Sequence, residues 1–337
     1  AAGRLKPAVR RPGSLPAGGD RAQPGGAIGA AEESWRTRKG SFLVIGDWGW
    51  DPQAPAMGGN LKSTSCQKAI AKAMDERMRL LGDVKFVINV GDSFYPNGVK
   101  SKHDPQWDTK WRNVYSEAVR SVPWYSVYGN HDYWQDPCAC GDGPHDCAQV
   151  NANTSDRRFF YMPNYTYSVR CPELDLEIIA MDLNRFSHAW NKQEQPYPYD
   201  CRCTSCEAKC KGSLNARTDE SFRFFNERMK KSSAKNLIVF SHYPTDYFWA
   251  APDFLNSLRD GSRHHIEYFG GHRHNVDQKT TVSIAPNNNW LSGGGGGFSC
   301  DGQEQGFVVG EIHEKFNILT YPVLVDYPSC CGAGVTV

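Results

Sequence analysis

Apolar residues in this chain come in short runs, broken at most by a single polar residue, and most are stopped by a polar cluster that contains glycine. Phe42 to Ile45 leads into Gly46-Asp47-Trp48-Gly49, and Phe86 to Val90 into Gly91-Asp92-Ser93-Phe94-Tyr95. Tyr125 to Tyr128 leads into Gly129-Asn130-His131-Asp132, and Leu237 to Phe240 into Ser241-His242-Tyr243-Pro244. Ile266 to Phe269 precedes Gly271-His272-Arg273-His274. Runs this short and apolar predict buried strands. In open α/β sheets, ligands collect where loops leave the carboxyl ends of such strands.

Between the runs the period changes. Cys66 to Leu81 carries Ala, Met and Leu at helical spacing with charges between, which predicts a surface helix over a sheet. Trp107 to Val119 predicts a second helix, and the alternation gives βαβαβ with a mostly parallel sheet. Phe159 to Met162, Tyr165 to Arg170 and Leu176 to Met181 follow at short spacing and predict an antiparallel meander. Ala216 to Lys231 and Pro252 to Leu258 read as helices. Thr281 to Ile284, Phe307 to Ile312 and Phe316 to Val325 read as strands, and Gly293 to Gly297 as a loop. Two β-sheets packed face to face with helices outside are the simplest architecture.

A chain of 337 residues with 39% hydrophobic and 22% charged residues is long enough to bury a large core. No apolar stretch reaches the length of a membrane-spanning helix. Residues 1–40 hold eight Lys or Arg against three acids, leaving 30 basic against 34 acidic residues in the remainder. A basic Pro/Gly/Ala stretch of that kind predicts a flexible leader or pro-segment over 1–40. The body, 41–327, shows no basic stripe, which counts against nucleic-acid binding. Residues 328–337 read as a tail.

Twelve cysteines in clusters predict disulfides and an oxidising compartment, secreted or vacuolar-lysosomal. The sequons Asn153-Thr154-Ser155 and Asn164-Tyr165-Thr166 agree with a glycoprotein. Cys201, Cys203, Cys206 and Cys210 sit in an insertion near 190–214; a disulfide-stapled loop is favoured there over a zinc knuckle. That insertion is also a candidate surface for a protein partner.

The strand-end clusters carry the chemistry. A phosphate ester resists hydrolysis because its anionic oxygens repel hydroxide, and two cations about 3.5–4 Å apart remove that obstacle. Ions that close need a bridging carboxylate, for which Asp92 is the candidate. Tyr95, three residues on, ligates as phenolate only beside a strong Lewis acid, which favours Fe(III). Imidazoles and an amide oxygen suit a divalent partner, Fe, Zn or Mn. His131 adjoins Asn130 and suits contact with a phosphoryl oxygen or a leaving alkoxide, while Asp132 orients that turn. Tyr243 reads as a core aromatic, and His264 and His265 as surface residues.

With GDWG, GDSFY, GNHD, SHYP and GHRHN in that order, the chain resembles the purple acid phosphatases of the calcineurin-like metallophosphoesterases, in particular the small tartrate-resistant type. The resemblance implies a four-layer metallophosphoesterase sandwich of two mixed sheets. It implies Asp47, Tyr95 and His274 on Fe(III), with Asn130, His242 and His272 on the divalent ion. Asp92 would bridge the two, and His131 would be the catalytic contact. The implied activity is acid phosphatase hydrolysis of phosphomonoesters by attack of a metal-bound hydroxide on small phosphorylated substrates. The chain departs from the pattern in Tyr247 to Ala251, where small members carry another substrate-contacting His, and at Trp50, where a small residue is usual. The rivals are a metallophosphodiesterase or nucleotidase, and a structural or anchoring protein of this fold with weak or no turnover.

Overall fold

Strand β1 (Arg38–Ile45) shows why the runs are continuous. Phe42 and Val44 face the space between two sheets, whereas Leu43 and Ile45 face a helix on the other side. Side chains alternate across a strand, so a strand covered on both faces needs apolar residues at every position. The structure, a computed structural model, describes residues 38–49, 65–134, 147–150, 159–189, 201, 205–278, 281–297, 304–314, 318–326 and 330. The leader over 1–37, Trp50, Cys138, Cys140, Asn153, Cys203, residues 190–200 and most of the tail lie outside them. Strand β1 begins at Arg38, within the range assigned to the leader.

Two six-stranded mixed sheets pack face to face. The first runs β12-β11-β1-β2-β3-β4, with β2 (Val84–Asn89), β3 (Trp124–Ser126), β4 (Phe160–Tyr161), β11 (Gln305–His313) and β12 (Ile318–Val325). The second runs β5-β6-β7-β8-β10-β9, from β5 (Tyr167–Cys171), β6 (Leu176–Ala180), β7 (Asn236–Phe240), β8 (His265–Gly270), β9 (Val276–Asp277) and β10 (Asn288–Ser292). Helix α1 (Ser65–Leu81) covers the first sheet, where Ile70 and Met74 meet Leu43 and Val87. Helices α2 (Glu207–Lys231) and α3 (Pro252–Arg259) cover the second through Phe225 and Phe254. Phe42, Ile88, Ile178, Ile238 and Phe269 fill the layer between the sheets. This is the α/β metallophosphoesterase sandwich the motifs imply.

Several elements differ from expectation. Trp107 to Val119 is not one helix: a wide turn spans Trp107–Arg112, and a separate helical turn, Glu117–Arg120, starts at Ser116. The wide turn brings Trp107, Lys110 and Trp111 inward together. The expected meander is divided, because β4 joins β3 in the first sheet while β5 and β6 pair in the second. Helix α2 begins at Glu207, inside the cysteine-rich insertion. Thr281 to Ile284 forms no strand; Asn288–Ser292 pairs with β8 instead. Cys201 and Cys210 form a disulfide, as do Cys66 and Cys330, so the first pair cannot be zinc thiolates. Cys171 is a buried free thiol.

What positions the site is parallel pairing. Strands β1, β2 and β3 run parallel, as do β6, β7, β8 and β10. Their carboxyl ends therefore open at one edge of each sheet, and the loops that leave them converge.

Candidate metal centre

The turns after β1 and β2 are tied together before any charged side chain is considered. The Asp47 N–H donates to Gly91 O at 2.9 Å and the Trp48 N–H to Asp92 O at 3.2 Å. Buried Asn89, inside an apolar run, accepts from the Trp48 indole N–H at 2.9 Å and donates to Ser93 and Ser126 Oγ at 2.9 and 3.1 Å. Asp47, Asp92 and His272 hold left-handed backbone at φ 57°, 48° and 72°, a conformation that costs a non-glycine residue of order 1 kcal/mol. The surrounding bonds hold it. A Cβ on Gly129 would lie 2.0 Å from Asp92 Oδ1, so only glycine lets the third turn close over that carboxylate.

The side chains form two groups sharing one carboxylate. In the first, the Tyr95 hydroxyl lies 3.1 Å from both Asp47 Oδ1 and Asp92 Oδ2, and 3.4 Å from His274 Nε2. In the second, Asn130 Oδ1 lies 3.1 Å from His242 Nε2 and 2.9 Å from His272 Nδ1, with the two ring nitrogens 3.2 Å apart. Asp92 Oδ2 also stands 3.3 Å from His242 Nε2, while Asp92 Oδ1 accepts from the His131 N–H at 2.9 Å. The ligand atoms of Asp92, His242 and His272 all lie within 4.8 Å of one another. The structure thus brings together Asp47, Asp92, Tyr95, Asn130, His242, His272 and His274, with His131 at their side.

Electrostatics tests whether these residues suit cations. His242 Nδ1–H donates to Val90 O at 2.9 Å, which leaves Nε2 with a bare lone pair in the neutral ring. That lone pair meets the amide oxygen of Asn130, an Asp92 oxygen and a His272 nitrogen, all of them electron-pair donors. A convergence of donors around one point fits a cation. Burial, with Asp92's charge adding, pushes the Asp47 carboxyl up to about 7. Burial and both carboxylates hold the Tyr95 phenol well above its ordinary value. His242 rises to about 9 because the Asp92 and Asp47 charges outweigh its burial. His272 is held well below the usual imidazole value by burial and by His242. A positive ion among them would favour the anionic forms of Asp47 and Tyr95, so the donor set fits metal.

His131 packs between Tyr95 and Trp134, with ring centroids 4.6 and 4.1 Å away. Its Nδ1 lies 2.7 Å from Pro96 O, which fixes Nδ1–H as donor and gives proton exchange to Nε2. Burial lowers its pKa to about 4. Asp132 accepts from the N–H groups of Ser93, Phe94 and Gly129 at 2.9, 3.2 and 2.9 Å, and from Gln149 Nε2 at 2.8 Å. It ties the second turn to the third. Tyr243 is buried in the outer core, its ring 4.9 Å from His272. His264 is buried rather than at the surface, with its ring nitrogens against backbone carbonyls, Nδ1 2.7 Å from Ala234 O and Nε2 3.1 Å from Met229 O. His265 is half-buried against Glu267 at 2.6 Å.

Sequence reasoning passed over Asn89, Gln149 and Lys110. Buried Lys110 donates to the Tyr95 carbonyl and to Gln106 Oε1, the latter at 2.6 Å. A polar Asn inside the run Phe86 to Val90 was a readable signal; Gln149 and Lys110 offered none.

The family model for calcineurin-like phosphoesterases matches residues 40–276. Purple acid phosphatase 17 of Arabidopsis thaliana is 27% identical over 203 residues, 60% of this chain and 51% of that protein. Human tartrate-resistant acid phosphatase type 5 is 27% identical over 155 residues, covering 45% of this chain and 43% of its own length. The chain spans about half the length of these curated relatives. Among solved structures, one titled GAP50, the anchor in the inner membrane complex of Plasmodium, is similar at a TM-score of 0.55 and 19% identity. The likeness covers 85% of this chain and 84% of that one.

Proposed function

This chain belongs to the calcineurin-like phosphoesterases, and from that premise we propose that it is a binuclear-metal acid phosphatase acting on phosphomonoesters. The observation that carries the proposal is the single Asp92 carboxylate shared by two groups of donors, one with a phenol and one with an amide and two imidazoles. Asp47, Tyr95 and His274 would hold Fe(III), Asn130, His242 and His272 a divalent Fe, Zn or Mn, and Asp92 both. When bound, such a pair would neutralise phosphate oxygens and generate a nucleophile from water near neutral pH. The chain's own contribution is orientation. The turn of Asn130 and His131 is fixed by Asp132 and by the bond from His131 N–H to Asp92. His131 stands beside the bridging carboxylate, where its Nε2 would meet a phosphoryl oxygen and assist the departing alkoxide.

The setting agrees with an oxidising compartment. Cys66–Cys330 and Cys201–Cys210 are disulfides, and among the described residues no helix is long and apolar enough to cross a membrane. We place the protein in a secreted or vacuolar-lysosomal location with iron as one metal. An anchoring protein without turnover is the second reading, since the structurally similar GAP50 is titled an anchor. A purely structural role would not require Tyr95, His274 and Asp47 to stay assembled. Metal analysis of the purified protein, with its visible spectrum and phosphate release from a simple monoester, separates the two. Two ions per chain including iron, a phenolate-to-iron band and turnover support the phosphatase. A folded, colourless protein that releases no phosphate supports the anchor.

A further inference from the structure

The departure at Tyr247 to Ala251 lies beside the metal centre, and the structure gives it an alternative equipment. A 3₁₀ helix spans Thr245–Ala250. Tyr247 and Phe248 turn inward, and Thr245 is pinned by Val282 O and Asn289 Nδ2 at 2.9 and 3.1 Å. In such a helix residues three apart eclipse one another, so Asp246 and Trp249 share one side. Asp246 forms an ion pair with Arg273, the residue between His272 and His274. The Arg273 side chain is 42% exposed and lies over the Tyr247 ring at 5.8 Å, and that ring is 5.3 Å from His272. One tyrosine therefore separates an accessible guanidinium from a metal-site imidazole. On the same side Trp249 is 63% exposed, whereas Thr245, Tyr247 and Phe248 pack inward and Asp246 holds Arg273.

We propose that Arg273 and Trp249 form a specificity subsite for nucleoside di- and triphosphates. This rests on the phosphatase reading above, since it places the terminal phosphate among the metal ligands. Three features support it. The guanidinium is a planar fork that binds phosphate through paired N–H donors. Asp246 holds one edge of that fork through Oδ2 and so orients the other edge. An exposed indole offers a face on which a base stacks, a contact that generally contributes about 1–3 kcal/mol per base. The phosphate adjacent to the scissile bond would meet Arg273, and the base would lie on Trp249. A simple alkyl monoester reaches neither.

The test compares kcat/KM for adenosine diphosphate with kcat/KM for glycerol phosphate in the full chain and in Arg273→Met, Arg273→Lys and Trp249→Ala. The ratio between the two substrates is expected to fall about tenfold in Arg273→Met and Trp249→Ala, and less in Arg273→Lys, which keeps the charge but not the fork. An unaltered ratio in both Arg273→Met and Trp249→Ala overturns the subsite while the phosphatase reading stands. If the protein hydrolyses neither substrate, calorimetric binding of adenosine diphosphate decides instead. About tenfold weaker binding in each of these variants keeps the subsite and removes the catalytic reading. Unaltered or absent binding overturns the subsite. Both positions are solvent-exposed, and thermal melting verifies that each variant is folded; Trp249→Gln replaces Trp249→Ala if it is not.

Discussion

Strand β8 carries a histidine pair at each end, and the two pairs are opposites. At its start, His264 faces two carbonyl oxygens and His265 faces Glu267. These partners accept hydrogen bonds, so His264 ties the end of α2 and the approach to β7 to the sheet, while His265 bonds within β8. Beyond its end, His272 faces Asn130 Oδ1 and His242 Nε2, and His274 faces the Tyr95 hydroxyl and, at 3.8 Å, an oxygen of Asp47. There each ring is one of several electron-pair donors gathered around one point, other imidazoles included, an arrangement that asks for a cation. Same residue type, the same strand between them, similar burial: what separates scaffold from ligand is whether a ring has partners of its own or joins several donors gathered around one point. Parallel pairing decides which end receives which, because only the carboxyl ends of β1, β2, β3 and β7 bring acids, amide and phenol to the same place.

The largest test of this contrast is Asp92→Asn, which removes the charge shared by both groups. Steady-state hydrolysis of a monoester is expected to fall by more than about a thousandfold, with at least one metal equivalent lost; full turnover would break the assignment of the two donor groups. Next comes Asp132→Ala, which leaves three backbone N–H groups and Gln149 without their acceptor. Metal affinity or activity is expected to drop about 10- to 100-fold. Equilibrium metal titration measures it. His264→Ala should do the reverse of a ligand change: stability falls by about 2 kcal/mol because buried carbonyls lose their donor, while metal content per folded chain is kept. Loss of metal there would erase the distinction between the ends of β8. His272→Ala should lose metal, with little change in melting when both proteins are compared free of metal.

The smallest effect is a reference away from both ends. Arg228 donates to Glu177 at 2.6 and 3.1 Å. Burial opposes ionisation of Glu177, yet the Arg228 bonds hold its carboxyl below the usual carboxylate range. A lowered folded value means that the pair stabilises the protein above the ordinary carboxylate pKa. That contribution is lost as pH falls through the lowered value. Melting temperatures of Arg228→Gln should therefore depend less on pH over the acid limb than those of the unaltered chain. An equal slope would show that Glu177 carries no such linkage.

Local pattern and tertiary context divided the information unevenly. The strands before the site were readable because a strand covered on both faces cannot hide a polar residue without a partner. Helix α1 was readable because one face must stay wet. The turn at Trp107–Arg112 was not, since its two inward indoles pack on Trp124 and Phe160, which come from later strands. Nor was the splitting of the Phe159 to Met181 region, where the sheet that a strand joins depends on which edge is vacant nearby.

At the site, the residue types that suit metal were written into the motifs, because ligation depends on side-chain chemistry and that is fixed by the gene. Whether a histidine has backbone partners of its own or joins a cluster of donors was not, as His264 shows. That depends on atoms contributed by residues far away in the chain, and only folding sets them a few ångströms apart. The same holds for Arg273, an unremarkable surface residue in the sequence, which its pairing with Asp246 places one tyrosine ring from His272.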